Sequence, residues 1–424
     1  MRFAVIDSGH YLDFALMLLE YGAEKVYYSV DWFRAFPRIE DYATGFGYEE
    51  KYPGFIKVLD AGMALRKADY VVFTDVGLGG LAKFLEEKGV KVWGAKIPAQ
   101  MLESDRFYMD YITRKSIGRP KEVRMAMGFE HLKQVVADML SRHEKVVVKM
   151  SVFRGNMETQ LVSDVKDLDV IFSQTNLEPI NKWISFIVEE AVDGVEWGFD
   201  GYFDGEDFVR PYAHSPEMKG EGVCMVAMHD RSFLDDLILD KLRDYLVKAG
   251  FKGFISLEFF LDGEKIYLTD YTIRLPYPGA GLLARIYGNL PELIASALDG
   301  KPVKPSVKWK YAVEMRVYPE DNAKWLPFHL PARLFFNSGK RWSVYLGNSN
   351  GSDGVEYDDY LFVPGGTDLG SAIGLSNDGI MQAYEQAVEV AKLYDSPDKK
   401  YSGNAWEIFE EKRRKVEEWY GRIY

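Results

Sequence analysis

Short apolar runs alternate with amphipathic segments in the first part of the chain. Residues 2–7 and 25–30 have the pattern of buried strands, and residues 12–21 between them repeat apolar side chains at helical spacing. Residues 68–74 form a third apolar run of strand length. Strands that alternate with helices in this way predict a parallel sheet with crossover helices.

Ligands of such sheets bind beyond the carboxyl ends of the strands. In this chain those ends are residues 7–10 (DSGH) and 75–80 (DVGLGG). Neither segment matches the GxGxxG spacing, so no nicotinamide cofactor is indicated. Tight-turn chemistry explains residues 8–10 as well as ligand contact does.

Later in the chain the β-type runs become longer. Residues 145–150 predict a strand that places Lys149 among valines. A buried lysine is costly unless it meets an anion, or unless an edge strand lets its side chain reach water. Residues 183–192, 196–202 and 208–212 are interpreted as three strands joined by Asp-Gly turns, which predicts a meander.

Residues 253–279 contain the most unusual mixture of apolar and charged positions. Two apolar runs, residues 254–261 and 265–271, flank an Asp-Gly pair, which is a strong hairpin signal. The polar residues set into or just after these runs are Glu258, Asp270, Thr272 and Arg274. Carboxylates seldom lie in apolar strands unless a cation meets them.

The register of this hairpin determines whether its carboxylates meet. A two-residue turn that pairs residue 261 with 264 places Glu258 and Asp270 on opposite faces. A three-residue connection that pairs 261 with 265 brings both to one face, with Thr272 and Arg274 following at strand period two. That face would offer oxygen ligands for Mg²⁺ and a guanidinium for phosphate. An exposed hairpin face with ordinary charges is the alternative.

Composition narrows the classes of function. The chain has 424 residues, enough for several domains, and its formal charge of −13 argues against a nucleic-acid binder that relies on basic surface. One cysteine and six scattered histidines provide no metal-binding spacing. No membrane span is indicated, and the N-terminus begins directly with a strand pattern, so we expect a cytoplasmic protein.

Together these features resemble the ATP-grasp superfamily and, within it, the phosphoribosylamine–glycine ligase family. The resemblance covers most of the chain and rests mainly on residues 146–149 (VVVK), 188–196 (VEEAVDGVE) and 258–274. The order and spacing of Glu258, Asp270 and Thr272 match the metal-binding strand pair of that superfamily. Weaker matches are residues 103–107 and 374–393.

The resemblance implies a multidomain fold that combines α/β and α+β architecture. Residues 1–118 would form an N-terminal, parallel-sheet pre-ATP-grasp domain. Residues 119–303 would form an ATP-grasp domain of two α+β subdomains, and residues 304–424 a small C-terminal α/β unit with β structure and helices.

It also implies that ATP and Mg²⁺, or Mn²⁺, bind in the ATP-grasp domain. Lys149 and Arg106 would contact phosphates, and Arg274 would approach the γ-phosphate or an acyl phosphate. The residues expected to hold adenine and ribose are Glu189, Glu190 and Glu196. The residues expected to hold the metal are Glu258, Asp270 and Thr272.

The activity implied by the resemblance is ATP-dependent ligation of a carboxylate and an amine through an acyl phosphate. The substrates would be an amino acid such as glycine and a small amine, with nucleotide-derived amines among the candidates. We expect no membrane or nucleic-acid partner, and a homodimer is one open assembly. The alternatives are a non-catalytic nucleotide-binding or scaffold protein of this fold and a different α/β enzyme, in which Lys149, Glu258 and Asp270 would lie apart.

The chain departs from the family pattern at several positions. Thr272 stands where Asn is usual, and Asp270 where Glu is usual. Residues 217–223 (EMKGEGV) replace a GDxGPNTGGMG segment, and residues 7–16 (DSGHYLDFAL) replace a GxGGREHAL-type phosphate turn. The resemblance therefore indicates the reaction type more strongly than the substrates.

Overall fold

Three β-sheets organise the part of the chain that the structure, a computed structural model, describes. The described residues are 1–30, 45, 48–49, 52–118, 121–151, 159–173, 182–263, 265–319, 370–392 and 399–424. Each sheet is packed against helices through its own apolar side chains.

The N-terminal sheet is parallel, with strand order β3-β2-β1-β4-β5. Its strands are β1 (Arg2–Asp7), β2 (Lys25–Val30), β3 (Phe55–Lys57), β4 (Tyr70–Phe73) and β5 (Val92–Trp93). The helices of this region are α1 (Leu12–Glu20), α2 (Ala61–Lys67), α3 (Gly79–Glu87), α4 (Met101–Ser104) and α5 (Arg106–Ser116). The predicted parallel sheet is confirmed, because buried strands alternate with amphipathic helices as the pattern required.

A four-stranded antiparallel sheet, called the small sheet here, follows with order β6-β9-β7-β8. Its strands are β6 (Val123–Met127), β7 (Val146–Met150), β8 (Thr159–Val162) and β9 (Ser185–Glu190). Helices α6 (Phe129–Leu140) and α7 (Val165–Ser173) contact it, and apolar side chains of the strands and helices form one core.

The largest sheet, called the large sheet here, has order β14-β13-β10-β11-β12-β15-β16, with β17 beside β15. Its strands are β10 (Val195–Phe203), β11 (Tyr212–Pro216), β12 (Val223–His229), β13 (Gly253–Asp262), β14 (Lys265–Thr272), β15 (Tyr311–Pro319), β16 (Gly370–Ser376) and β17 (Lys399–Lys400). The helices around it are α8 (Asp240–Lys248), which follows a π-helical turn at Asp235–Leu239, α9 (Ala280–Ile286), α10 (Leu290–Leu298), α11 (Ile380–Lys392) and α12 (Ala405–Tyr420).

The predicted meander over residues 183–212 is wrong. Strand β9 belongs to the small sheet, whereas β10 pairs with β11 and β13 in the large sheet. The Asp-Gly turn at residues 193–194 therefore connects β9 of the small sheet to β10 of the large sheet. Gly194 is needed there because a Cβ on it would lie 2.4 Å from the carbonyl oxygen of Leu261.

The edge-strand interpretation of Lys149 is also wrong. Strand β7 lies between β9 and β8, and Lys149 is 4% exposed, so its side chain does not reach water. Its charge must be met inside the protein. The pattern of residues 341–346 also predicts a strand, but these residues lie outside the described part of the chain. None of the described helices is long and apolar enough to cross a bilayer.

Candidate functional site

Lys149 lies at the junction of the small and large sheets in a buried group of charges. Its Nζ donates to the carbonyl oxygen of Thr269 at 2.7 Å and lies 3.1 Å from Oε2 of Glu189. Lys121 Nζ lies 2.8 Å from the same oxygen. Two buried lysines therefore share one buried carboxylate, and this group, called the lysine group below, carries a surplus positive charge.

The charge of Glu189 is set by its two lysines. Burial alone would raise the pKa of this carboxyl, but Lys149 and Lys121 lower it to about 2. Burial lowers the pKa of the Lys149 ammonium, and Glu189 opposes that effect. A further anion beside Lys149 would stabilise its charged form.

The hairpin of β13 and β14 brings Glu258 and Asp270 side by side as directly paired residues. Neither register considered for the hairpin produces this pairing, because Asp262 pairs with Lys265 at the turn. That register alone would leave the two carboxylates on opposite faces, since directly opposed residues share a face.

A β-bulge at Thr269 corrects the register. The pairing shifts by one residue between Glu258 and Phe259, so that Asp270 faces the same side as Glu258. Thr269 Oγ1 donates to the carbonyl oxygen of Glu258 at 2.9 Å, and its own carbonyl accepts the Lys149 hydrogen bond. One bulge residue therefore joins the acidic hairpin to the lysine group.

Cations from other segments contact the hairpin carboxylates. Arg106 Nη1 lies 2.6 Å from Oδ1 of Asp270. Lys219 Nζ lies 2.5 Å from Oε1 of Glu196 and 3.1 Å from Oε2 of Glu258. Arg106 begins α5, whose N-cap is Asp105.

Two further acids lie near Glu258 and were not anticipated. Asp200 is buried, pairs with Ser256 on the next strand, and accepts a hydrogen bond from its hydroxyl. Burial raises the pKa of Asp200 to about 6. Burial together with the charge of Glu258 raises the pKa of Glu217 well above its usual range. Glu258, Asp270, Asp200 and Glu217, called the acidic group below, therefore favour a cation.

The carboxylate of Glu217 lies directly over Gly198. A Cβ at position 198 would be 2.1 Å from Glu217 Oε1, so the glycine provides the space for this acid. The sequence did contain a signal for Asp200, which is a carboxylate inside the apolar run of residues 195–203.

The hairpin suits a hard divalent cation that is coordinated both by protein carboxylates and by phosphate oxygens. Among the described residues, no three His, Cys, Asp or Glu side chains are arranged to hold a metal ion by themselves. Glu258 and Asp270 supply two adjacent carboxylates, and Thr272 follows on the same face. Mg²⁺ usually takes one or two carboxylates, water and phosphate oxygens, so it needs no third acid.

Two of the predicted site residues lie outside this connected group. Glu190 accepts the backbone N–H of Glu122 at 3.0 Å, on the side of β9 away from Glu189. Arg274 Nε lies 2.9 Å from Glu103 Oε1 and 3.2 Å from Asp75 Oδ1. The guanidinium thus points to the carboxyl end of β4, one of the predicted ligand edges.

The remaining predicted residues do come together. Thr269 links the lysine group to the hairpin. Lys219 links the hairpin to Glu196, the residue predicted to hold the ribose. The predicted residues in this connected group are Arg106, Lys149, Glu189, Glu196, Glu258 and Asp270, and Thr272 follows on the same face of the hairpin. Lys121 and Lys219 complete it, and no pattern around Lys121 indicated its role.

Comparison with known proteins identifies related enzymes and solved structures of the same fold. No protein-family model matches the chain. The phosphoribosylamine–glycine ligase of Methanococcus maripaludis is 25% identical over 278 residues, which are 58% of this chain and 62% of that protein. The enzyme of the same name from Methanococcus vannielii is 27% identical over 252 residues, which are 53% of this chain and 56% of that protein. The chain therefore spans about three fifths of the curated relatives that it matches.

Solved structures match over nearly the whole chain. The crystal structure of phosphoribosylamine–glycine ligase from Thermotoga maritima has a TM-score of 0.65 at 14% identity, and covers 95% of this chain and 98% of its own. Biotin carboxylase of Campylobacter jejuni, solved as a β-γ-ATP complex, has a TM-score of 0.59 at 14% identity, and covers 94% of this chain and 95% of its own. At such identities the likeness establishes the fold alone.

Proposed function

We propose that this chain, a divergent protein of the ATP-grasp fold, is an ATP-dependent carboxylate–amine ligase. The observation that carries the proposal is the direct contact between the lysine group and the acidic hairpin, made through Lys149 and Thr269. A nucleoside triphosphate with its metal has the complementary arrangement, because its phosphates are anionic and its metal is cationic.

The roles of the residues follow from their positions. Lys149 and Arg106 would bind phosphates, and Glu189 would accept from the adenine amino group. Glu196 would hold the ribose. Glu190 lies outside the connected group of site residues, and the backbone beside it would contact the nucleotide. Glu258, Asp270 and Thr272 would hold Mg²⁺ or Mn²⁺, which would neutralise charge on the phosphates.

The reaction needs positioning and charge stabilisation more than a covalent catalyst. The carboxylate of the first substrate would attack the γ-phosphate of ATP, forming an acyl phosphate and releasing ADP. An amine would then attack the acyl carbon and expel phosphate, leaving an amide. Arg274, between the hairpin and the N-terminal sheet, would meet the acyl phosphate where the two substrates join.

The names of the relatives supply the candidate substrates. Phosphoribosylamine–glycine ligases suggest glycine or another amino acid as the carboxylate, and a nucleotide-derived amine as the acceptor. We include in the proposal the division into residues 1–118, 119–303 and 304–424, a homodimer and a cytoplasmic location.

The test is release of ADP from Mg-ATP in the presence of paired amino acids and amines, including phosphoribosylamine. We expect release that depends on both substrates. Glu258→Gln should reduce it at least about a hundredfold, because a neutral amide is a poor ligand for Mg²⁺. Glu206→Gln, an exposed glutamate on a turn, should leave it unchanged.

The same assay decides between the ligase and a non-catalytic nucleotide-binding protein. That second function is favoured by the ion pairs of Asp270 with Arg106 and of Glu258 with Lys219, which already engage both metal-binding candidates. Tight ATP binding without ADP release under any substrate pair would support it. Full activity of Glu258→Gln would remove this residue from the metal site.

A further inference from the structure

Lys121 makes the shortest ionic contact with Glu189, although nothing in the sequence indicated a role for it. Its side chain is 7% exposed and its Nζ lies 2.8 Å from Oε2 of Glu189, compared with 3.1 Å for Lys149 Nζ. Both lysines contact the same oxygen. Among the described residues, Oε1 of Glu189 accepts no hydrogen bond.

The two lysines differ in what else they contact. Lys149 also donates to the carbonyl oxygen of Thr269, on the hairpin where phosphates are expected. For Lys121, Glu189 is the one acidic partner in the described part of the chain. When phosphates interact with the charge of Lys149, Lys121 remains as the cation that pairs with Glu189.

We propose that Lys121 is a positioning residue that makes Glu189 selective for the amino group of adenine. It occupies Oε2 and keeps the carboxylate ionised, so that Oε1 is available to accept a hydrogen bond from that amino group. A purine with a carbonyl oxygen in place of this amino group would bring a hydrogen-bond acceptor against Oε1, which is also an acceptor. The two oxygens would repel each other. This inference rests on the proposed function, because it requires a nucleotide beside Glu189.

Loss of Lys121 would weaken this selection in a specific way. Glu189 would then depend on Lys149 alone, and a buried carboxylate with less positive charge around it takes up a proton more readily. A protonated carboxyl group can donate as well as accept. It would therefore tolerate a carbonyl oxygen in place of the amino group.

The experiment is the binding of Mg-ATP and of Mg-inosine triphosphate, which has that carbonyl oxygen, measured by calorimetry. We expect the native protein to prefer ATP at least about tenfold, and Lys121→Met to reduce the ratio of the two affinities by about tenfold. Lys121→Arg should keep the ratio within about threefold, since it restores the cation. Lys145→Met is the matched control on an exposed lysine beside β7 and should not change the ratio.

The possible outcomes distinguish a failure of this inference from a failure of the proposed function. Equal weakening of both nucleotides by Lys121→Met would show a structural role and overturn the inference, as would a native protein without preference. Binding of neither nucleotide by the native protein would overturn the proposed function and the inference with it. If Lys121→Met does not fold, Lys121→Gln must lower the ratio and Lys121→Arg must preserve it, or the inference is rejected.

Discussion

The charges of individual residues indicate which kind of ligand this site can bind. The lysine group has two cations around Glu189, whereas the acidic group has four carboxyls near one another. Burying a surplus charge is unfavourable unless a ligand compensates for it. Two surpluses of opposite sign in contact therefore indicate a ligand that carries both signs.

Asp200 provides a test of the acidic surplus. Its pKa is raised from 3.8 to about 6, so the folded protein resists ionising it and loses stability as the pH rises from about 4 to about 6. We expect Asp200→Asn to stabilise the protein by about 1 to 3 kcal/mol above pH 6, where the wild-type carboxylate is charged. The measurement is urea unfolding of both proteins across this pH range.

The sign of the pH effect makes this prediction specific. Below about pH 4 the advantage of Asp200→Asn should vanish, because the native carboxyl is then protonated in both folded and unfolded states. Asp244→Asn, on the exposed surface of α8, is the control and should show no such window. An advantage of Asp200→Asn that does not depend on pH would contradict the assignment.

At the scale of elements, the β-bulge in the hairpin is the feature that creates the acidic pair. If Thr269 took a regular ladder position opposite Glu258, the alternation of side chains along β14 would turn Asp270 away from Glu258. We predict that exchanging the two residues, Thr269→Asp with Asp270→Thr, leaves a paired hairpin but lowers Mn²⁺ affinity at least about tenfold, because the carboxylate then lies on the bulge residue and no longer opposite Glu258. Electron paramagnetic resonance of free Mn²⁺ measures the affinity.

Thr269→Val is the matched variant for this exchange. It keeps the bulge and the carbonyl that accepts from Lys149, and removes only the hydroxyl bonded to the Glu258 carbonyl. Its Mn²⁺ affinity should therefore remain within about threefold of the wild type, for the loss of one neutral hydrogen bond. Equal affinities of the exchange variant and the wild type would show that the bulge does not determine the site.

At the scale of the whole molecule, the small sheet presents an apolar face beside the charged group. Met125 pairs with Ile187, which also pairs with Lys149, and directly paired residues share a face. Met127 follows on the same face, and these methionines are 41% and 53% exposed. The opposite face of the sheet is buried against α6 and α7. An exposed apolar face next to the charges proposed to bind phosphate suits a nucleobase.

Nucleotide binding should therefore protect these methionines. We predict that a non-hydrolysable ATP analogue with Mg²⁺ slows peroxide oxidation of Met125 and Met127 by about threefold or more, because the base covers their sulfur atoms. Peptide mass spectrometry reports each site separately. Met63, which is 41% exposed on α2, is the internal control and should oxidise at an unchanged rate. Protection of all three methionines alike would point to a general effect on the protein.

Local patterns were sufficient for the N-terminal sheet and for most elements around the site. Strands β1 and β2 with helix α1 follow directly from apolar runs and helical spacing, because these signals lie within a few neighbouring residues. Charged residues in apolar strands likewise singled out Lys149, Glu258 and Asp270. Such residues are rare enough in buried strands that their type alone marks them.

Pairing between distant segments could not be obtained in this way. The meander over residues 183–212 failed because local turn signals do not tell which sheet a strand joins. Lys121 escaped notice because its partner, Glu189, is 68 residues away along the chain. Its importance comes entirely from that contact.

Local sequence patterns were enough to predict the strands and helices of the N-terminal sheet, the resemblance to a fold and the residue types available for chemistry. These depend on side-chain polarity and short-range spacing, which are present in the unfolded chain. The hairpin register, the second lysine on Glu189 and the separation of Arg274 from the other site residues are visible only in the folded protein. Each of these depends on a bulge or an ion pair between remote segments, whose energies exist only once the sheets have packed together.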